Sequence, residues 1–393
     1  MLKVCLVTPL PPFESGISYY SRYLCLELSR LCETVIVSQK GAHLLFRKQY
    51  NVWRRGVLAP LNILLFLRKI RADFIHIQFD YAVYGPPMVS LMVPLMVKIF
   101  LRKPLIVTVH EVPPIHAPLR IYEADNLSLK LFVRYRFVRY LLIKITVFIL
   151  NLADKIIVHN DLMAKQLEKY GVKGEKITVI PHGSKEYGNQ RYGACRSRKE
   201  FRILYIGFLR PSKGIEYLLL SFKRVLELLC GREKAKLVII GGKPVNQTTP
   251  YVEKIRKFVE ALKLSKNVEL LGFLGEEEFR KNVLEADVIV LPYVDFFIGS
   301  SGVFHSVCIS GKPIICTRIP RFYAELDGNE CIMVKPRCSL ELAEAIYNLL
   351  VNSNLREKIS KLLINKFAET VWYKVAKEHI AHYYRLIRKE VGK

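Results

Sequence analysis

Two cations lie three residues apart in GFLRPSKGIEYLL: Arg210 and Lys213, between an apolar run and a helical one. Beside the free N–H groups of a helix start they would clamp a diphosphate, the arginine bidentately and the lysine as a point charge. Two solvated loop cations are the plainer alternative. Downstream, GSSGVFHSVCISGKPII (residues 299 to 315) sets Ser300, Ser301 and Gly302 ahead of an apolar helical run that includes His305. Hydroxyls and N–H groups converging there form a candidate phosphate cradle, or an ordinary serine N-cap. The stretch contains no carboxylate. His110 closes VTVHE, where an imidazole donates to a bound hydroxyl or carbonyl, assists proton transfer, or serves only structure. Gly16, in PPFESGISYYSRYL, lets a ligand approach the backbone just ahead of a helix, and is equally a turn residue.

These residues need a scaffold that brings strand ends together. The chain reads as strand–loop–helix from its start: KVCLVTP, LPPFESG, then ISYYSRYLCLELSRL with apolar residues at helical spacing. The short apolar runs ETVIVSQ, ADFIHIQ, PLIVTVHE, KIIVHN and KITVIPHG follow, with helical segments between the later ones. The polar, glycine-containing segment 184–200 breaks this rhythm as an interdomain linker. The alternation then restarts with FRILYIGFL, KLVIIGG, VELLGFL, DVIVLPY, PIICT and CIMVK, and helices fill 339–351 and 354–393. Alternating strands and helices predict α/β architecture with two doubly wound parallel sheets, Rossmann-like, facing across a cleft.

Composition narrows the partners. At 393 residues, 51% hydrophobic and 24% charged, the chain has the balance of a globular protein with more than one domain. Its net charge of +26 favours acidic partners such as nucleic acid, an anionic membrane surface or phosphorylated small molecules. A lysine-rich thermophile surface would carry the same excess. The nine cysteines include no C-x-x-C and read as free thiols in a reducing cytosol. MLKVCLVTPL reads as a strand rather than a secretory signal, and the longest apolar runs fall short of the ~20 residues of a spanning helix. In KLFVRYRFVRYLLIKITVFILN (130 to 151) arginines alternate with aromatics, the pattern of a helix lying at a lipid interface or of one packed into the core.

Taken in order, LPPFESGISYYSRYL, TVHE, ADKIIVHNDLMAKQL, VIPHG, GFLRPSKGIEYLL, LVIIGG, ADVIVLPY and SSGVFHSVCISGKPIICT resemble the family-four (group 1) retaining glycosyltransferases of the GT-B fold over nearly the whole chain. The resemblance implies an N-terminal acceptor-side domain over 1–185 and a C-terminal domain over 200–371 that binds a nucleotide-sugar donor. A last helix, about 372–393, packs back on the first domain. Arg210 and Lys213 match the family's diphosphate pair, Gly16 the loop glycine beside the donor, and His110 the histidine near the transferred sugar. Gly272, Phe273 and Leu274 match the segment that brackets the base. The family often carries two glutamates with seven residues between them ahead of G-x-P, but here those positions hold Ile298 and Ser306. Some members carry an S-G-V-type sequence instead, as Ser301, Gly302 and Val303 do here, so Ser301, Gly302 and His305 would supply replacement polar contacts. Glu325 is the nearest remaining acid downstream.

The expected activity is retaining hexosyl transfer from a nucleoside diphosphate sugar to a glycan or lipid-linked acceptor. It would need no metal or other cofactor, and would take place in the cytoplasm or peripherally on the cytoplasmic membrane face. A donor-binding protein without turnover is the first rival reading. A nucleic-acid binder, suggested by charge alone, is the second and lacks any recognisable module.

Overall fold

The computed structural model describes residues 2–114, 136–188, 200–231, 234–242 and 250–391. Short β-branched runs bounded by turn residues make the first sheet. Its strands are β1 (Lys3–Val7), β2 (Glu33–Gln39), β3 (Gln49–Trp53), β4 (Phe74–Phe79) and β5 (Leu105–Val109), with β7 (Lys155–Val158) and β8 (Ile177–Val179) beyond a separate two-residue strand, β6 (Glu111–Val112). They lie in the order β3-β2-β1-β4-β5-β7-β8 with every pairing parallel. The second sheet is built from β9 (Glu200–Ile206), β10 (Lys234–Ile240), β11 (Val268–Gly272), β12 (Val288–Leu291), β14 (Ile314–Thr317) and β15 (Ile332–Val334). Its order is β11-β10-β9-β12-β14-β15, again all parallel. The remaining strand, β13 (Ile298–Gly299), pairs with neither sheet. It runs antiparallel to β6, with Ile298 opposite Val112 and Gly299 opposite Glu111. The expected pair of doubly wound sheets is present, and a backbone bridge across the cleft joins them.

Helices α1 (Gly16–Leu31), α2 (Ala59–Leu67), α3 (Pro87–Leu101), α4 (Arg136–Leu152) and α5 (Asp161–Tyr170) accompany the first sheet. The second has α6 (Ile215–Leu229), α7 (Pro250–Ala261), α8 (Glu276–Glu285), the one-turn α9 (Gly302–His305) and α10 (Pro320–Tyr323), then α11 (Ser339–Val351) and α12 (Ser353–Phe367). A 3₁₀ turn at Ala368–Thr370 interrupts the helical run that begins near residue 354, and α13 (Trp372–Val391) follows it. Trp372, Val375, Ala376, Tyr383 and Leu386 of α13 share a core with Leu2, Val4, Leu6 and Leu24, so this helix is part of the first sheet's packing. Gly183 makes that docking possible, because a Cβ there would overlap the Trp372 indole. Between the two sheets the chain passes through segment 184–200, of which 189–199 lie outside the described residues.

Each sheet reverses strand order beside its first strand, at β1/β4 and at β9/β12. In doubly wound folds, ligands bind beyond the strand carboxyl ends at these switch points. Both crevices open toward the β6–β13 bridge.

Candidate functional site

Lys213 ends a 3₁₀ turn (Pro211–Lys213) that leads from β9 into α6. Gly214 follows at φ +66, a left-handed conformation that favours glycine, and a Cβ there would collide with the Pro292 carbonyl oxygen. This tight approach presses the turn onto the end of β12 and buries Lys213. Its Nζ sits 3.3 Å from the Tyr293 ring centroid, a cation–π contact. Burial, then the neighbouring Arg210, pushes the ammonium well below its usual range, with Asp295 opposing. Arg210 lies at the start of the same turn, and its buried Nε has no hydrogen-bond partner.

A third cation completes the group. Arg321, in the first turn of α10 just beyond β14, is almost wholly buried. Its Nη2 lies 2.6 Å from Glu111 Oε1 and 3.4 Å from Asp295 Oδ1, and its Nη1 donates to the Ser300 carbonyl at 3.1 Å. Burial would raise the Asp295 carboxyl, but Arg321, Lys213 and Arg210 together hold it below the ordinary range. Asp80, beyond β4, behaves oppositely. Burial and the nearby Glu111 raise it to about 7, against the Ala82 N–H, Arg210 and Arg321. The cluster therefore gathers Arg210, Lys213 and Arg321 with the carboxyl groups of Asp80, Glu111 and Asp295.

Alongside lies a second cluster, built from histidines. His110, His159 and His182 follow β5, β7 and β8, three adjacent strands, so parallel pairing places their rings side by side. His110 Nε2 is 2.8 Å from Gln78 Oε1 and its Nδ1 is 3.2 Å from His159 Nε2. Tyr20 contacts the rings of all three. Burial lowers each imidazole's pKa, that of His159 to about 4, so the three are neutral at pH 7. His182 stacks on His305 with centroids 4.6 Å apart and planes 15° from parallel. His305 differs from its neighbours. Burial alone would lower it, but Glu325 Oε2, 2.6 Å from its Nε2, raises it to about 10. In return His305 holds Glu325 below the usual carboxylate range despite burial. Glu325 Oε1 accepts from the Ser300 hydroxyl and, at 3.3 Å, from Asn160 Nδ2 of the opposite domain.

The structure brings together Arg210, Lys213, His110, Ser300, Ser301, Gly302, Val303 and His305 around the β6–β13 bridge. The roles of several are specific. Ser301 caps α9, its hydroxyl accepting from Phe304 N at 3.2 Å, and the Ser300 hydroxyl is committed to Glu325. Gly302 faces His182 Nε2. His110 has both ring nitrogens engaged by protein partners. Gly272 (φ +70), Phe273 and Leu274 lie apart, beyond β11, where the half-exposed Phe273 ring covers Gly242 and meets Phe208 edge-on with centroids 6.0 Å apart. Gly16 begins α1, with nothing within 4 Å of where its Cβ would stand. Sequence reasoning assigned no part to Asp80, Glu111, Asp295, Arg321, His159 or His182.

On the first domain α2 packs on α3, and α3 on α4. Leu61, Leu65, Met88, Met92, Ile99, Phe100, Tyr140, Leu141 and Phe148 of these helices are exposed, while Leu142, Ile143, Ile149 and Leu150 of α4 face the core. The helix is therefore amphipathic: one side is buried, as the core reading expects, and the other is exposed and apolar. Residues 130–135 of the basic–aromatic stretch lie outside the described residues. Among the described residues no helix is long and apolar enough to cross a membrane.

Two family profiles match: Glycosyltransferase Family 4 over residues 15–184 and Glycosyl transferases group 1 over residues 200–352. An uncharacterized glycosyltransferase of Methanocaldococcus jannaschii is 27% identical over 202 residues, 49% of this chain and 47% of that protein, so the match spans about half the length of this curated relative. Among solved structures, the sucrose-phosphate synthase of Thermosynechococcus elongatus superposes with a TM-score of 0.75 at 16% identity, covering 99% of this chain and 100% of that one. HepE of Anabaena, solved in complex with UDP, gives 0.72 at 14% identity over 98% of this chain and 100% of that one.

Proposed function

Because the chain belongs to the group 1, family-four glycosyltransferases of the GT-B fold, we propose that it moves a hexose from a nucleoside diphosphate sugar to a glycan or lipid-linked acceptor with retention at the anomeric carbon. The observation that carries the reading is the convergence at the β9 end of Lys213, buried against the Tyr293 ring, and Arg210, whose buried Nε has no hydrogen-bond partner. A diphosphate would accept from the unpartnered Arg210 Nε–H and add to Asp295 as a counter-charge for Lys213. In this reading both cations stabilise the charge that develops on the leaving diphosphate, without a metal or other cofactor. The base lies near Gly272, Phe273 and Leu274, and the sugar lies between His110 and the Ser300–His305 turn, with Gly16 flanking the donor. HepE has been solved with UDP-glucose, which supports a donor of this class.

The acceptor side is the first domain. The exposed apolar faces of α2, α3 and α4 lie alongside the exposed Arg68, at the end of α2, and Lys144 of α4, which supports docking on an anionic bilayer at the cytoplasmic face. The missing acids at 298 and 306 support a second reading, a donor-binding protein without turnover. The double variant Arg210→Ala, Lys213→Ala separates these from a different site. We expect it to abolish donor hydrolysis and sugar transfer while circular dichroism stays native. Unchanged turnover would overturn the site assignment, and donor binding without turnover by the native chain would favour the second reading.

A further inference from the structure

We propose that Arg321 is a third ligand of the donor diphosphate, and that Glu111 of the opposite domain is a resident counter-charge that the diphosphate displaces. The inference rests on the donor site at Arg210 and Lys213 and adds a residue from another strand end.

Arg321 reaches the same crevice as Arg210, because β14 and β9 flank β12 on either side. Its guanidinium is anchored within its own domain at two points, the Ser300 carbonyl at 3.1 Å and Asp295 Oδ1 at 3.4 Å. Its shortest contact comes from the other domain: Glu111 Oε1 at 2.6 Å. Asp295 is 1% exposed and Glu111 30%, so the two acids are not equivalent. Asp295 is fixed among the cations. Glu111 stands at the rim on a two-residue strand and can withdraw its side chain into water. A diphosphate carries more charge than one carboxylate and offers paired oxygens to a planar guanidinium, so it competes well for the same Nη2. Without Glu111 the guanidinium keeps both anchors in its own domain and stays in place.

The same contact bears on domain closure. Glu111 and Gly299 are register partners in the β6–β13 bridge, so the Arg321–Glu111 pair adds a side-chain contact between the domains beside that backbone bridge. Exchange of the carboxylate for a diphosphate moves the Arg321 contact from the opposite domain to the donor.

The test is calorimetric titration with UDP, GDP, ADP and inorganic pyrophosphate, with uridine as a charge-free control. Glu111→Gln removes the competing charge at a half-exposed position. We expect the diphosphates that bind the native chain to bind it roughly tenfold more tightly, with uridine unchanged. Arg321→Gln is expected to weaken them about tenfold, and Arg321→Lys to fall between, because an ammonium keeps the charge but not the paired donors. If Arg321→Gln does not fold, Glu111→Gln decides alone. Diphosphates binding the native chain and Glu111→Gln equally, or the variant more weakly, would overturn this inference while leaving the donor site standing. No diphosphate binding to either protein would overturn both.

Discussion

Glu325→Gln replaces one oxygen of the buried pair with His305 and leaves the volume unchanged. The native interaction is strong because both groups are almost dry, with side chains 1% and 11% exposed, and are 2.6 Å apart. The pair has further supports: the Ser184 hydroxyl at 3.2 Å from His305 Nδ1, the stacked His182 ring, and Asn160 on Glu325. An imidazole raised from 6.5 to about 10 binds its proton more tightly in the folded chain than in the unfolded one. Its stabilisation is therefore complete below pH 6.5 and is lost as the pH rises toward 10. Across that window the folded state holds up to one extra proton, so stability falls by up to ~1.4 kcal/mol per pH unit. Glu325 contributes the same interaction seen from the other partner, and the two shifts do not add. Removing one member of a buried pair typically costs about 3–5 kcal/mol. We expect Glu325→Gln to cost about 3 kcal/mol at pH 6 to 7, and progressively less toward pH 10, where the native pair has itself been lost. Urea unfolding of both proteins at pH 6, 7, 8, 9 and 10 measures this. A stability difference that is negligible at pH 6.5, or constant from pH 6 to 10, would refute the charged-pair assignment.

Acid should act through the other histidines. His76, His110, His159, His182 and His379 are buried and held neutral, His159 and His379 with pKa values of about 4, so their stabilisation is present above pH 6.5 and is lost as the pH falls toward 4. Unfolding midpoints measured from pH 7 to 4.5 should reveal net uptake of more than one proton on unfolding, and uptake below one would contradict the assignment. On the membrane side, sedimentation with vesicles containing phosphatidylserine should show binding at low salt that falls at high salt, and Phe148→Glu should weaken it about tenfold. No vesicle binding at low salt would remove the docking proposal.

Much of the scaffold was legible because most strands are local apolar runs and some helices carry their own start signal. ETVIVSQ is β2 residue for residue, and Asn160 and Asn352 cap α5 and α12 through their own side chains. β3 and α2 went unread. QYNVW has a polar interruption at an edge strand, and APLNILLFL is apolar on nearly all sides, so neither shows the period of its structure. Within the site, Arg210 and Lys213 were visible because their meaning is local, two cations at one strand-to-helix turn. Arg321 and Glu111 are 210 positions apart, and their contact depends on how two domains meet. The histidine cluster did leave a signal in VTVHE, KIIVHN and VIPHG: one imidazole just beyond each of three successive strands. Parallel adjacency turns that repeat into a row of touching rings.

The loss of acids at 298 and 306 has a structural reason. Ile298 is 6% exposed, packs with the first domain's core, and pairs with Val112 in the bridge. A glutamate there would bury a charge among apolar side chains within reach of Asp295 and Glu111. Ser306 ends α9, where its hydroxyl donates to the Val303 carbonyl at 2.7 Å and its own carbonyl accepts from the Tyr187 hydroxyl at 2.6 Å. Both positions serve to close the chain on itself. The negative charge around this turn comes instead from Asp295 before it, Glu325 after it and Glu111 across the cleft, Asp295 and Glu111 matched to Arg321 and Glu325 to His305.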